Sequence, residues 1–225
     1  MPNDKEFVVI GLGRFGSNVA GSLYHMGYSV LGIDSDETRV QRSVDLCTHV
    51  VEADATDEHT LRSLGVGDFE VGIVSIGNHL EASILVTLLL KELGVPEVIS
   101  KASSDVHGKL LRRVGADRIV FPERDMGLRL ANSLALDNVV DYLEITPDVS
   151  IVEITTTPSM QGKTLRQLDV RARFDVNVLA IRSSGEQVEV SPSPDDPINE
   201  GDILIALGTN EAVRKWQHFQ NKERS

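Results

Sequence analysis

A glycine-rich hexapeptide separates a short apolar strand from an amphipathic segment near the start of the chain. The run Glu6–Ile10 predicts a strand, the motif Gly11-Leu-Gly-Arg-Phe-Gly16 follows it, and apolar residues then recur at helical spacing. Strand, glycine motif and helix in this order are typical of a dinucleotide-binding unit. We expect Gly11 to allow a tight turn, Gly13 to let the backbone approach phosphates, and Gly16 to let helix and strand pack closely. The amides at the helix start would then face an anionic ligand.

The next predicted strand ends in the acidic residue that completes this pattern. Tyr28–Ile33 is apolar and β-branched, and Asp34 follows it at a position suited to accept hydrogen bonds from adenosine ribose hydroxyls. The alternative is a domain whose glycines serve packing alone. Strand and helix patterns go on alternating to about residue 122. This alternation predicts an α/β fold, a Rossmann-like doubly wound parallel sheet with helices on both faces.

The pattern changes in the second half of the chain. A longer helix follows Pro122, and from residue 150 onward short strands dominate, with a proline-rich loop at Ser191–Pro197 that cannot join a ladder. We therefore predict a first domain at 1–135, a linker at 136–149 and a small α+β domain at 150–225. A domain of that size is marginally stable alone, so we expect dimerisation through it.

Composition excludes several classes of protein. The chain has 225 residues and a net charge of -12, from 34 acidic and 22 basic residues, which argues against binding nucleic acid or an anionic membrane surface. The longest apolar run, 82–90, is far shorter than the roughly 20 residues of a membrane-spanning helix. The start, 1–6, lacks the features of a signal peptide, and Cys47 is the only cysteine. These observations predict a soluble cytoplasmic protein.

Three polar residues near the predicted strand ends each have two interpretations. Arg14 follows the second glycine of the motif, where it could reach a terminal phosphate or remain solvated on the first helical turn. Asp54 could receive an adenine amino group, although an isolated Asp more often caps the following helix. Lys101 follows the predicted fifth strand and could contact phosphate or only solvent. The segment 54–56 after the third predicted strand, the pair Ile76-Gly77 after the fourth and Lys101 after the fifth all lie where ligands bind in open α/β sheets.

Catalysis has little support in the sequence. The histidines are scattered without metal-ligand spacing, and a G-x-S-x-G stretch is absent. A nicotinamide-dependent oxidoreductase of the Rossmann class is the alternative function, but the second domain offers no obvious acid or base for hydride transfer. A redox-sensing transcription factor would need a winged helix or basic arm, which the sequence does not show.

At this point the residues resemble a known family across nearly the whole chain. The chain resembles the RCK subunit (regulator of conductance of potassium, also called KTN) of Ktr-type bacterial potassium transporters. The chain has one N-terminal domain and one C-terminal domain, which looks like the Ktr subunit rather than the Trk subunit, in which the pair is duplicated. The segments that carry the resemblance are Val8–Gly16, Thr87–Glu92, Val114–Gly127, Leu168–Arg173, Leu179–Ile181 and Ser191–Pro194.

The resemblance implies a non-enzymatic, cytoplasmic regulator bound at the inner face of the cell membrane. Its partner would be a membrane-embedded potassium-translocating subunit of Ktr or Trk type, and its homodimers would assemble into an octameric ring. ATP would favour the active ring and ADP the inactive one, with NAD or NADH able to occupy the same cleft. The implied nucleotide-binding residues are Gly11, Leu12, Gly13, Arg14, Phe15, Gly16, Asp34, Ser35, Asp54, Ala55, Thr56, Ile76, Gly77, Lys101 and Glu123.

Two of these residues acquire specific roles from the resemblance. Arg14 would reach the γ-phosphate across the dimer interface, so that ATP and ADP stabilise different interface geometries. Glu123 resembles the carboxylate that holds a divalent cation, Mg²⁺ or Ca²⁺, near the phosphates. Without the resemblance, Glu123 is simply an acid favoured by the dipole at the first turn of a helix.

The second domain resembles one that binds cyclic di-AMP at its dimer interface. Asp169 and Arg171 match the stretch that holds the phosphates of that ligand, and Pro192 belongs to the loop at the same pocket. Asp175 departs from the family pattern, since many relatives have Gly there, and it adds negative charge near an anionic ligand. The alternative for Arg171 and Arg173 is an interface salt bridge.

Overall fold

The computed structural model describes residues 5–77, 79–135, 138–185 and 187–224, with side chains up to residue 219. The chain divides into two compact units, Met1–Glu123 and Arg124–Ser225. Within the described part of the chain, no helix is both long and apolar enough to cross a membrane.

The first unit contains a six-stranded parallel sheet whose strand order is β3-β2-β1-β4-β5-β6. Strand order reverses between β1 and β4, which opens a crevice at the carboxyl ends of the strands. This topology confirms the predicted Rossmann-like doubly wound sheet. The strands are β1 (Glu6–Ile10), β2 (Ser29–Asp34), β3 (His49–Glu52), β4 (Val71–Val74), β5 (Glu97–Lys101) and β6 (Arg118–Val120). The helices are α1 (Arg14–His25), α2 (Glu37–Arg42), α3 (Glu58–Ser63), α4 (Leu80–Glu92) and α5 (Asp105–Arg113), with 3₁₀ turns at Val44–Leu46 and Val66–Asp68.

Strand β1 is buried on both faces of this sheet. Val8 and Ile10 belong to one hydrophobic core, whereas Phe7 and Val9 belong to the core on the opposite face. Successive side chains of a strand point to opposite faces, so a continuous apolar run is what a sheet covered on both sides requires. The burial of β1 thus fixes the position of the glycine motif that follows it.

The second unit is built on a five-stranded antiparallel sheet with the order β10-β9-β11-β8-β7. This sheet and its helices confirm the predicted α+β character. The strands are β7 (Val139–Thr146), β8 (Val149–Thr155), β9 (Asn177–Arg182), β10 (Val188–Val190) and β11 (Ile203–Thr209). The helices are α6 (Pro122–Ala135), which begins in the first unit, α7 (Leu165–Leu168), α8 (Val170–Phe174) and α9 (Asn210–Arg224).

The segment predicted as a linker, 136–149, instead contains strand β7, which pairs with β8 in a hairpin. Its register shifts between Val139 and Asp141, so the two-residue alternation that would have predicted a strand is interrupted. Residues 136 and 137 of this segment lie outside the described residues. The predicted bounds of the first domain, 1–135, and of the last, 150–225, stay a prediction.

Candidate functional site

A cleft of about 1120 Å³ lies at the carboxyl ends of the parallel strands in the first unit. Almost all the residues predicted to bind nucleotide line it. Gly16 is the exception, since it does not line the cleft and packs beneath the glycine loop. The predicted residues on the cleft wall are Gly11, Leu12, Gly13, Arg14, Phe15, Asp34, Ser35, Asp54, Ala55, Thr56, Ile76, Gly77, Lys101 and Glu123.

The three glycines of the motif have different surroundings. Gly11 has φ +92, a left-handed conformation that favours glycine, and its N–H donates to the Ile33 carbonyl oxygen at 2.8 Å. A Cβ at Gly16 would overlap the Gly11 carbonyl oxygen. Gly13 has open space around it and is the N-cap of α1 without a side chain to bond the first turn. The first amides of α1 are therefore left for a ligand.

Asp34 is buried at the end of β2 and holds the glycine loop. Its Oδ2 accepts a hydrogen bond from the Leu12 N–H at 2.6 Å and lies 3.4 Å from Nη1 of Arg39. Its Oδ1 accepts from the Asp36 N–H at 3.0 Å. A carboxylate has about four acceptor positions, so Oδ1 retains room for one ribose hydroxyl.

The structure shows that Asp54 does not cap the next helix, so that interpretation was wrong. Its Oδ1 accepts from both the N–H (2.9 Å) and the hydroxyl (2.7 Å) of Thr56, which hold the pKa of Asp54 below its usual value. The N-cap of α3 is Asp57, whose carboxylate accepts from the His59 N–H at 3.1 Å. Asp54 lies too early in the chain to cap α3, which begins at Glu58.

Lys101 and Glu123 form an ion pair at the other end of the cleft. Nζ of Lys101 lies 2.5 Å from Oε1 of Glu123 and 5.7 Å from the ring centroid of Phe15. The hydrogen bond from Lys101 lowers the pKa of Glu123, and the positive charges of Lys101 and Arg14 add to the effect. The guanidinium of Arg14 is exposed and makes no hydrogen bond or ion pair within the described residues. This end of the cleft therefore carries a net positive charge suited to phosphate.

A metal ion would have few ligands from this chain. Among the residues that the structure describes, no three His, Cys, Asp or Glu side chains group together. Glu123 is a single carboxylate already bound to Lys101. Because Mg²⁺ commonly takes one or two carboxylates together with substrate phosphates, Glu123 fits a cation only in company with phosphate oxygens.

Sequence reasoning missed several residues at the ribose end of the cleft. Arg39 and Arg42 of α2 and the following Ser43 all line it. A basic residue that follows the acid at the end of β2 by a few positions is a recognisable signal in this fold, because its side chain can reach the ribose. Arg39 provides that signal, since it lies five positions after Asp34.

The residues predicted to bind cyclic di-AMP lie in two segments of the second unit. Asp169 stands between α7 and α8 with φ 45, Arg171 is exposed on α8, and Pro192 follows β10. The loop after β10 is tied to α7 through Arg166, whose Nε lies 2.8 Å from Asp195 Oδ1. The guanidinium of Arg173 lies 4.4 Å from the Phe219 ring centroid, which is a cation–π contact within the unit.

Comparisons with known proteins match both units. Residues 7–122 match the TrkA-N domain and residues 149–219 the TrkA-C domain. The chain is 42% identical over 215 residues to Ktr system potassium uptake protein A of Bacillus subtilis, covering 96% of each. It is 44% identical over 213 residues to Ktr system potassium uptake protein C of the same organism, covering 95% of this chain and 96% of the relative. The chain belongs to the Ktr family of potassium uptake proteins.

Membership in the Ktr family confirms the resemblance and identifies a regulatory subunit of a potassium uptake system. The relatives are named for potassium uptake rather than for an enzyme activity, which agrees with the prediction of a non-enzymatic protein and disfavours the oxidoreductase alternative. The RCK domain of GsuK shares the fold, with a TM-score of 0.69 and 19% identity over 98% of this chain, which spans about half (49%) of that one. The GsuK channel has also been solved bound to NAD, with a TM-score of 0.66, 19% identity and coverage of 95% of this chain and 39% of that one.

Proposed function

We propose that this chain binds ATP and ADP in the cleft of its first unit and thereby regulates potassium uptake by a membrane-embedded Ktr- or Trk-type subunit. The observation that carries the proposal is the convergence of the glycine loop, Asp34 and Lys101 on one cleft of about 1120 Å³. NAD or NADH would occupy the same cleft, because the adenosine-binding groups are common to both ligands.

Each end of the cleft has a separate task in this proposal. Oδ1 of Asp34 accepts a ribose hydroxyl, and the uncapped amides of α1 bind the phosphates. Lys101 changes partner from Glu123 to a phosphate oxygen, since both are anions within reach of the same ammonium group. Glu123, once released, is free to hold Mg²⁺ or Ca²⁺ against the phosphates.

Arg14 is the residue that would distinguish ATP from ADP. Its side chain is exposed at the first position of α1 and has no partner within the described residues, so it is available to a ligand in a neighbouring copy. Contact with the γ-phosphate is possible for ATP alone. Because a ligand shifts an equilibrium only by its differential contacts, ATP and ADP would stabilise different geometries of a homodimer. We propose that four such dimers form an octameric ring, located in the cytoplasm at the inner face of the membrane through its partner.

Cyclic di-AMP is proposed as an inhibitory ligand of the second unit. The support is the family stretch around Asp169 and Arg171, together with the exposure of Arg171 on α8. Asp175 at the end of α8 adds a negative charge that opposes binding.

Titration calorimetry on the full chain tests the nucleotide site. We expect Arg14→Ala to weaken ATP binding about tenfold, as the loss of one charge-assisted hydrogen bond predicts, and ADP binding much less. Arg112→Ala is the control, since Arg112 is an exposed arginine of α5 away from the cleft wall.

Two results would contradict parts of the proposal separately. Equal losses for ATP and ADP in Arg14→Ala would remove the γ-phosphate role but leave the nucleotide site intact. Absence of ATP, ADP and NADH binding to the unaltered protein would reject the nucleotide site itself.

A further inference from the structure

A second cavity, of about 190 Å³, is formed by helices α6 and α9 and strand β7. The described residues that line it all belong to the second unit, and none of them lines the nucleotide cleft. Pockets for drug-sized ligands enclose roughly 300–1,000 Å³, so this cavity suits a smaller molecule. The lining residues are Asn132, Ala135, Tyr142, Asn210, Val213 and Arg214.

Hydrogen bonds within the second unit fix two of the polar groups that line this cavity. The Tyr142 hydroxyl donates to Oδ1 of Asn210 at 2.9 Å, and Nδ2 of Asn210 donates to the Pro147 carbonyl oxygen at 2.9 Å. Tyr142 and Val213 are buried. Asn210 therefore keeps one side-chain N–H for a ligand, and Val213 provides an apolar surface beside it.

Arg214 is the only charged side chain on the described wall of the cavity. It is exposed, and it makes no hydrogen bond or ion pair in the part of the chain that the structure describes. The neighbouring Lys215 pairs instead with Glu211, at 2.7 Å. The guanidinium of Arg214 thus offers several N–H donors, and Asn132 and Asn210 add carboxamide donors. Because free donors outnumber free acceptors on this wall, the cavity is suited to an anion.

Two acidic residues lie near the cavity without lining it. Glu144 is two positions along β7 from Tyr142, and Asp148 is in the turn between β7 and β8, and both are exposed. Neither of these two described carboxylates pairs with Arg214. Water and salt screen exposed charges, whereas the positive N-terminal end of the 15-residue helix α9 lies at Asn210, on the cavity wall. An anion is therefore favoured within the cavity.

Buried polar groups without partners lie next to this cavity. Gln217 is 5% exposed, and neither its side-chain oxygen nor its side-chain nitrogen has a hydrogen-bond partner among the described residues. It follows Val213 by four positions and Arg214 by three on α9, so the three side chains are neighbours on one face of that helix. Ser150 on β8 is fully buried, and its hydroxyl is likewise unpaired in the described chain. Since buried polar groups are nearly always hydrogen-bonded, this side of α9 is suited to a ligand with polar atoms.

We propose that this cavity binds a short-chain monocarboxylate. The carboxylate pairs with Arg214, because the planar guanidinium matches the two oxygens of a carboxylate. The side-chain amides of Asn132 and Asn210 donate to the same oxygens, and the hydrocarbon chain lies against Val213 and Ala135. The site is independent of the proposed nucleotide cleft, because its lining residues are different and belong to the other unit.

Equilibrium dialysis of the full chain against radiolabelled butyrate at constant ionic strength tests the site. We expect saturable binding of one butyrate per chain. Butyramide, which has a similar shape but no charge, and inorganic phosphate, an anion without a hydrocarbon chain, should both compete poorly. Arg214→Gln should weaken butyrate binding about tenfold, the effect of losing one charge-assisted hydrogen bond. Arg112→Gln is the matched control, since it removes the same charge from an exposed arginine of α5 in the first unit.

Selective binding of butyrate that is weakened in Arg214→Gln and kept in Arg112→Gln supports the site. The proposal is overturned by an absence of saturable butyrate binding, by equal losses in the two variants, or by competition from phosphate as strong as from butyrate itself.

Sedimentation of the unaltered protein and of both variants tests a second source of the same chemistry, a carboxylate side chain from a neighbouring copy of the chain. Under the proposal, the three proteins should sediment alike. Dissociation of the assembly in Arg214→Gln alone, with no butyrate bound by the unaltered protein, would assign the cavity to an interface between copies and overturn the proposal.

Discussion

Gly13 and Gly16 look equivalent in the motif but occupy different environments. Gly16 lies against the Gly11 carbonyl and 3.0 Å from the Ser75 hydroxyl, measured from the position of an added Cβ, whereas an added Cβ at Gly13 meets no atom within 4 Å. Gly13 also has φ -67, which any residue can adopt. Gly16 is therefore required by the packing of helix against strand, whereas nothing within 4 Å in the described protein requires a glycine at position 13, where we propose that phosphates approach.

Alanine at these two positions should separate folding from binding. Gly16→Ala forces the backbone of the glycine loop to move, and we expect a loss of about 2 kcal/mol or more in the free energy of unfolding. Gly13→Ala should change that free energy by about 0.5 kcal/mol or less, yet weaken ADP binding, because its methyl group lies where phosphates approach. Urea denaturation and calorimetry measure the two quantities. A Gly13→Ala protein that binds ADP normally would contradict the assigned role.

The choice between Asp54 and Asp57 as the N-cap of α3 shows a limit of reasoning about single residues. Asp54 and Asp57 both precede α3, and either could cap a helix on composition alone. The turn that Asp54 forms with Thr56 decides the matter, since it places Asp57 at the N-cap. A local hydrogen bond, rather than residue type, selects between them.

At the scale of elements, helix α6 and strand β7 are joined by a paired interaction between Arg129 and Asp141. Nε of Arg129 lies 2.7 Å from Oδ1 of Asp141, and a second bond joins Nη2 to Oδ2. The hydrogen bonds from Arg129 lower the pKa of Asp141. Asp141 also stands at the register shift of β7, so the same residue interrupts the strand pattern and fastens the strand to the helix.

Replacing Asp141 with asparagine should lower the free energy of unfolding by a modest amount that depends on pH. The folded-state pKa of Asp141 is depressed, so its contribution is present above the unfolded value near 3.8 and is lost as pH falls through the lower folded value. Both side chains are more than a third exposed, and we expect a cost of about 0.5 kcal/mol at pH 7.

Thermal denaturation as a function of pH measures this difference. The difference in melting temperature between Asp141→Asn and the unaltered protein should disappear as the pH falls below about 4. Asp148→Asn, in the turn between β7 and β8, is the control for adding an amide to the same hairpin. A gap that persists in acid would show that the ion pair is not its source.

On the scale of the whole molecule, the two units have separate hydrophobic cores. Leu61 is fully buried in a core whose members all lie in the first unit, and Trp216 is buried in a core whose members all lie in the second. The described residues that line the cleft all belong to the first unit. Disruption of one core should therefore leave the backbone amides of the other unit protected against hydrogen exchange.

Alanine at Trp216 tests this separation. The truncation should destabilise the second unit by about 3–5 kcal/mol and speed amide exchange in β8 and β11, while β1 and β4 keep their protection and ADP still binds. Leu61→Ala is the matched variant and should produce the reverse pattern. Uniform loss of protection across both units in either variant would show that they unfold as one.

The parallel sheet and its glycine loop were predictable from the sequence because their signals are local. Apolar runs, helical spacing and a glycine motif are read within about 15 residues, and burial on both faces makes those runs unmistakable. Strand β7 was not predictable in this way, since its bulge and its acidic residues hide the alternation until the hairpin with β8 is formed.

The partners of the charged groups were decided by the tertiary structure. Lys101 meets Glu123 across 22 positions of sequence, and Leu12 meets Asp34 across the same separation, because parallel strands bring their carboxyl ends to one edge of the sheet. The amino-acid composition gives the number of charged residues but not which acidic group pairs with which basic group. Arg42 stands without a carboxylate partner in the described chain because α2 directs Arg39, and not Arg42, toward both acids. The residues of the site follow from local patterns, whereas its charge balance follows from long-range packing.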